Sequence, residues 1–389
     1  MTSTEIYDTA GYGEKAGIAE TVPVSEKKSV SKRSSGIDII KIFAAVLVVM
    51  VHFFMNTAFY STIPIDGIEY LPSISVFWIA YTCVPLFMIT TGYLMKNKTL
   101  SGKYYLGIIK VIVFYLTVST ICLINKVKNG VVVTPWEILR GYVRFGHCDY
   151  SWYVEQYIVI FMFIPFLNMA FNGLRSRRQH TALLVTAVFF FSVASSFYLG
   201  FDPNDQIKPF PEFPIKAYPI AYYYIGCYIR QYPPKKKNFG IWLTAASLAL
   251  LTLSLYFQSK ANENHFFRSY HFFEYNSYPV VGLASGIFLL LFDIKFNNRF
   301  LVKILSIIAQ TSLLTYLISI LFDSRYYGEF NNKYPYPDFL LRFRHMYEIV
   351  PKVYFMSLLW SLVILDVYTI ISLIIKHFLK KRRLNEISI

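Results

Sequence analysis

The stretch DIIKIFAAVLVVMVHFFMN, residues 38–56, decides the fold. As a helix it is long enough to cross about 30 Å of hydrocarbon, and its only polar or ionisable residues are Asp38, Lys41, His52 and Asn56. Similar apolar runs recur along all 389 residues, at roughly 38–58, 73–95, 105–125, 152–171, 181–200, 217–231, 239–257, 277–293, 304–322 and 354–376. The composition agrees: 55% hydrophobic, 19% aromatic and only 16% charged, with mean hydropathy +0.42. A soluble domain carries about 25% charged residues. These figures exclude a soluble enzyme, a fibrous protein and a disordered chain. The expected fold is an all-α integral membrane protein of about ten transmembrane helices.

The net charge of +15 would point to nucleic acid in a soluble chain, but its distribution is topological. With the N-terminus inside, 23 of the 38 basic residues fall in inner segments and 13 in outer ones, while Lys41 and Lys110 lie within spans. Every short inner loop is basic, as the positive-inside rule requires. Both termini are then cytoplasmic, in a multi-pass protein of the plasma membrane, and no nucleic-acid partner is expected. Residues 1–36 read as a polar, disordered cytoplasmic tail, 37–378 as the membrane domain and 379–389 as a basic cytoplasmic tail. The basic run KHFLKKRR, residues 376–383, suits contact with anionic lipid. No removable signal is read at the first span, and the four cysteines, three of them within apolar runs, predict neither a disulfide nor a zinc site.

Ionisable residues inside a membrane span mark candidate functional sites. Lys41 and His52 are 11 residues apart, so on a helix they are about 20° out of phase and about 16 Å apart along the axis. Asp38 precedes Lys41 by three residues and Asn56 follows His52 by four, so all four share one stripe. A deep histidine can take a proton from a hydroxyl nucleophile, and a cation near the inner face can hold a donor's phosphates. The plainer readings remain open: Lys41 snorkels to headgroups and His52 bonds a neighbouring helix. Further along, the run HCDYSWYVE lets His147, Asp149, Trp152 and Glu155 converge at an outer mouth. Asp366, in the tenth span, reads as a helix-to-helix partner. Large outer loops rich in aromatics, Tyr326, Tyr327, Tyr334 and Tyr336 among them, suit either sugar stacking or an interfacial belt. Neither a GxSxG elbow nor a P-loop nor HExxH occurs.

The first span resembles the first helix of the membrane acyltransferase-3 family, whose signature is Arg, ten residues, then His; here Lys41 and His52 hold those places. VPLFMITTGYLM, with Thr91, Gly92 and Tyr93, is similar to that family's second conserved helix, and SWYVEQYIVIFMFIPFLN, AYPIAYYYIGCYI and SLLTYLIS resemble later ones. The likeness covers about residues 36–378. Within the family it is nearest to bacterial enzymes that O-acylate surface polysaccharides, including poly-N-acetylglucosamine O-succinyltransferase-like members.

The resemblance implies an acyl-CoA donor, acetyl-CoA or succinyl-CoA, on the cytoplasmic side and a hydroxyl acceptor on an envelope polysaccharide or lipid-linked sugar outside, with no metal. Membrane lipid and a glycan synthase or export complex are the implied partners, in bacterial biofilm or envelope modification. His52 is then the base or transient acyl carrier, with Asn56 and Glu155 as catalytic candidates and Thr91 or Tyr93 orienting it or the oxyanion. Lys41, Lys103 and Lys110 would contact the donor, and Trp152, His147 and Asp149 the acceptor. Two residues depart from the pattern. Lys41 keeps the charge of the family's Arg but not its bidentate fork, and Ser319 stands where many relatives carry His. A polysaccharide exporter or flippase without acyl chemistry is the alternative.

Overall fold

The computed structural model describes residues 34–60, 65, 67–196, 210, 216–236, 238–261, 272, 274–335 and 339–387, with 379–387 described by backbone alone. Residues 1–33 of the expected N-terminal tail, the side chains of the basic C-terminal tail and Tyr336 lie outside the described residues, while Ser35 and Gly36 of that tail already belong to α1. The helices are α1 (Ser35–Asn56), α2 (Ile68–Met95), α3 (Gly102–Lys128), α4 (Pro135–Val143), α5 (Asp149–Asn172), α6 (Arg177–Val188), α7 (Tyr218–Gln231), α8 (Asn238–Ala261), α9 (Tyr278–Leu291), α10 (Arg299–Lys333), α11 (Phe339–Arg344) and α12 (Met346–Ile387). Among the described residues no strand occurs.

The described parts of the ten expected segments are largely helical, but among the described residues seven helices are long and apolar enough to cross a membrane: α1, α2, α3, α5, α8, α10 and the Met346–Phe378 part of α12. α9 is apolar but short. α6 begins at a capping box, in which Ser176 accepts from the Gln179 amide and the Gln179 side chain accepts in return. It then passes through a π-turn at Phe189–Val193. Two further helices occupy stretches read as outer loop. One is α4, started by Pro135 and a Thr134–Glu137 capping box; the other is α11.

α10 differs most from expectation. The sequence reading stopped it at Phe322, where the apolar run ends, yet the helix continues to Lys333. At 35 residues it is about 50 Å long, well beyond the bilayer's hydrocarbon. Its continuation carries Asp323, Tyr327 and Asn331 at helical spacing on one face.

α1 packs against α2 and α10 at the centre. The most apolar window of α2 is 78% buried, whereas that of α12 is only 17% buried and exposes Phe355, Leu359, Val363, Val367 and Ile370. The peripheral helices thus present an apolar surface suited to lipid. Close helix contact depends on small residues: a Cβ on Gly92 would overlap the Tyr223 carbonyl, and one on Gly226 the Ile89 carbonyl, so α2 and α7 meet backbone to backbone.

Candidate functional site

His52 sits near the end of α1, only 6% exposed. Its ring stacks on Tyr150 with centroids 3.7 Å apart. Its Nδ1 lies 3.3 Å from Oδ2 of Asp323 on α10. The Tyr150 hydroxyl donates to the same Oδ2 at 2.6 Å. A histidine and a carboxylate, both buried, therefore share one aromatic partner, and the phenol fixes the carboxylate while its ring supports the imidazole.

The short segment bearing Tyr150 is fastened to α10. The Tyr316 hydroxyl donates to the Tyr150 carbonyl and the Cys148 thiol to the Leu317 carbonyl. The end of α1 is held as firmly: Asn56 donates to the His52 carbonyl, Asn331 to the Asn56 carbonyl and buried Arg342 to the Thr57 carbonyl. Arg342 also donates to the Tyr334 carbonyl, and its burial draws its pKa below the ordinary guanidinium value.

Nδ1 of His52, for all its closeness to Asp323, has no hydrogen-bond partner, and neither do three buried polar atoms of α10: Oδ1 of Asp323, the Tyr327 hydroxyl and Oδ1 of Asn331. The last three lie on the polar face of α10. A buried polar group left unpaired is destabilising by roughly 1–3 kcal/mol, and three on one face are what a polar ligand would satisfy. On His52, Nδ1 lies within ion-pair distance of Asp323 without making a hydrogen bond to it, and among the described residues no hydrogen bond is made by Nε2 either.

The candidates drawn from the sequence separate into two ends of the bundle. His52 and Asn56 belong to the site, though Asn56 bonds the His52 carbonyl rather than its ring. Tyr93 lies at the opposite end, packed on Phe288 and Phe292, and the Phe292 carbonyl accepts from Ser34 at the start of α1. Ser34 and His52 are about 27 Å apart along the helix. Thr91 spends its hydroxyl on the Phe87 carbonyl of its own helix. Neither residue orients His52.

The expected outer convergence does not form. Glu155 and Asp149 are exposed, and His147 is locked away with its Nε2 on the Ile138 carbonyl. Trp152 is half-buried and stacks on Tyr275. Of the proposed donor lysines, Lys41 is half-buried one turn from buried Asp38, Lys103 is exposed, and Lys110 lies over the rings of Phe114 and Tyr368. Asp366 is exposed and, among the described residues, has no hydrogen bond or ion pair; it does not join helices as expected. Ser319 donates back to the Tyr316 carbonyl.

The sequence reading passed over Asp323 and Tyr150 and took Tyr327 for an outer-loop aromatic. The signal for the first and third was the Asp323–Tyr327–Asn331 spacing, which prolongs the helix as a polar stripe. Tyr150 lay unremarked between two named candidates.

A family model described as an acyltransferase domain, Acyl_transf_3, matches residues 34–343. The chain belongs to the acyltransferase-3 family. No curated protein and no solved structure shows a significant match. The matched acyltransferase domain contains every residue of the His52 site, including Asp323, Tyr327 and Asn331, and ends just after Arg342. Membership makes the chain a membrane acyltransferase, and the His52–Asp323 pair is its strongest candidate for acyl chemistry.

Proposed function

We propose that this acyltransferase moves an acetyl or succinyl group from acyl-CoA to a hydroxyl of an envelope polysaccharide or lipid-linked sugar. His52 is the general base. The observation that carries the reading is the 3.3 Å approach of the Asp323 carboxylate to Nδ1 of buried His52. A carboxylate at Nδ1 keeps the proton on that nitrogen and leaves the Nε2 lone pair to accept another.

In the proposed reaction the acceptor hydroxyl gives its proton to Nε2 as its oxygen attacks the thioester carbonyl. The imidazolium that forms is stabilised by Asp323, whose position the Tyr150 hydroxyl holds. Collapse of the tetrahedral intermediate breaks the carbon–sulfur bond, and the Nε2 proton passes to the leaving thiolate. General base catalysis of this kind contributes about 10²–10⁴-fold. The unsatisfied oxygens of Asp323, Tyr327 and Asn331 supply hydrogen-bonding capacity suited to a polyhydroxyl acceptor.

The reading places the Ser34 end in the cytoplasm of a plasma-membrane protein, with both termini inside, and the His52 end toward the envelope, where a glycan synthase or export complex would present acceptor. Incubation of the purified protein with labelled acetyl-CoA or succinyl-CoA and polysaccharide tests it. Label transfer with release of CoA supports the enzyme, whereas movement of unmodified polymer without CoA release supports an exporter instead.

A further inference from the structure

Lys96, Arg177 and Arg230 lie at the Ser34 end of the helices, and among the described residues none has an acidic counterpart. Lys96 follows the end of α2 and is only 9% exposed. Its Nζ donates to the neutral Asn172 and Asn97 side chains, at 3.2 and 3.5 Å, and lies 5.4 Å from the Phe171 ring centre. The turn that bears it is rigid, because Asn168 donates to the Met95 and Lys98 carbonyls and Asn172 to that of Lys96. Burial and the nearby Arg230 charge both draw the Lys96 pKa down.

Arg230, at the end of α7, is held 5.1 Å over the Tyr93 ring. Arg177, at the start of α6, sits 5.3 Å over the Tyr232 ring and donates from Nε to the Tyr228 hydroxyl, which also meets Thr181 at 2.9 Å. Tyr232 in turn contacts His180, and His180 packs on Phe171 beneath Lys96. Among the described residues no carboxylate lies within ion-pair distance of Lys96, Arg177 or Arg230. An open groove of about 660 Å³ runs along α6 beside Arg177, lined also by Arg178, Thr181, Ala182 and Val185.

Arginines held over aromatic faces keep most of their guanidinium donors for an anion, and a buried lysine with only neutral partners gains most from one. We propose that Lys96, Arg177 and Arg230 form a phosphate-binding cradle, occupied either by the phosphates of a nucleotide-bearing donor or by the phosphate of an anionic lipid headgroup. The nucleotide case rests on the acyl-CoA reading. It fits the two-ended layout, since a cradle at the Ser34 end and a base about 27 Å along α1 suit a long donor whose anionic and reacting ends are far apart.

The test uses the full chain in zwitterionic nanodiscs, with adenosine 3′,5′-bisphosphate as one probe and phosphatidylglycerol added to the bilayer as the other. Saturable binding of either probe, weakened about tenfold or more in Arg177→Gln/Arg230→Gln, supports the cradle and names its source. Both arginines are exposed, so this variant should keep the wild-type elution profile. Lys96→Gln should weaken the same probe and Lys96→Arg restore it. Binding that falls steeply with salt also supports the cradle. Unchanged binding of both probes in the double arginine variant, or no binding of either to the wild type, overturns it. His52→Ala should retain nucleotide binding; if nucleotide binds while no acyl-CoA donates, the cradle stands and the proposed reaction fails.

Discussion

Asp323 of α10 reaches Nδ1 of His52 on α1, and Tyr150 touches both, stacking on the imidazole and donating to the carboxylate. Three segments far apart in sequence thereby hold one imidazole with a defined side toward the carboxylate and a defined side away from it.

Asp323→Asn keeps the shape of the side chain but removes the charge that stabilises a protonated His52. The expected outcome is a fall in kcat of about 10²–10⁴-fold with KM little changed. Steady-state kinetics of CoA release, at varied acceptor concentration, check this.

Tyr150→Phe preserves the stack on His52 and deletes only the donor to Asp323. Loss of a hydrogen bond to a charged group is destabilising by about 1.5–3 kcal/mol. If that loss is expressed at the transition state, kcat falls about tenfold or more, and Tyr150→Ala, which also removes the stack, should fall further. The same rate assay ranks the three proteins.

Glu155 is exposed on α5, so Glu155→Gln should retain kcat within about twofold. A loss as deep as that of Asp323→Asn would show that Glu155 joins the chemistry in a way its placement does not provide.

Gly92→Ala and Gly226→Ala each put a methyl group into the backbone contact of α2 with α7. Overpacking of this kind is destabilising by about 1–3 kcal/mol. Each variant should melt at a lower temperature in detergent, with residual activity that follows the folded fraction.

The membrane class and the position of His52 were legible because apolar length and the rarity of intramembrane histidine are properties of the chain alone. Its partner was not. Asp323 follows the last apolar residue of its run, and hydropathy assigns a polar residue in that place to a loop. The helix continues there because Tyr327, Phe330 and Tyr334 remain buried against neighbouring elements, a tertiary effect that no local pattern records. His147 and Glu155 do not converge with Trp152 for the opposite reason. Proximity in sequence to Trp152 placed them together, but the His147 ring is spent on the Ile138 carbonyl and helical rotation turns Glu155 outward. Thr91 and Tyr93 belong to a span that runs away from His52, so their family-motif position said nothing of distance to it.

Acyl transfer from labelled acyl-CoA by the purified wild type and by His52→Ala, with each shown to be folded by elution profile and melting, tests the central claim most directly. The wild type should release CoA and label the polysaccharide, while His52→Ala should do neither above background. Transfer by folded His52→Ala at the wild-type rate would contradict the assignment of His52 as the base.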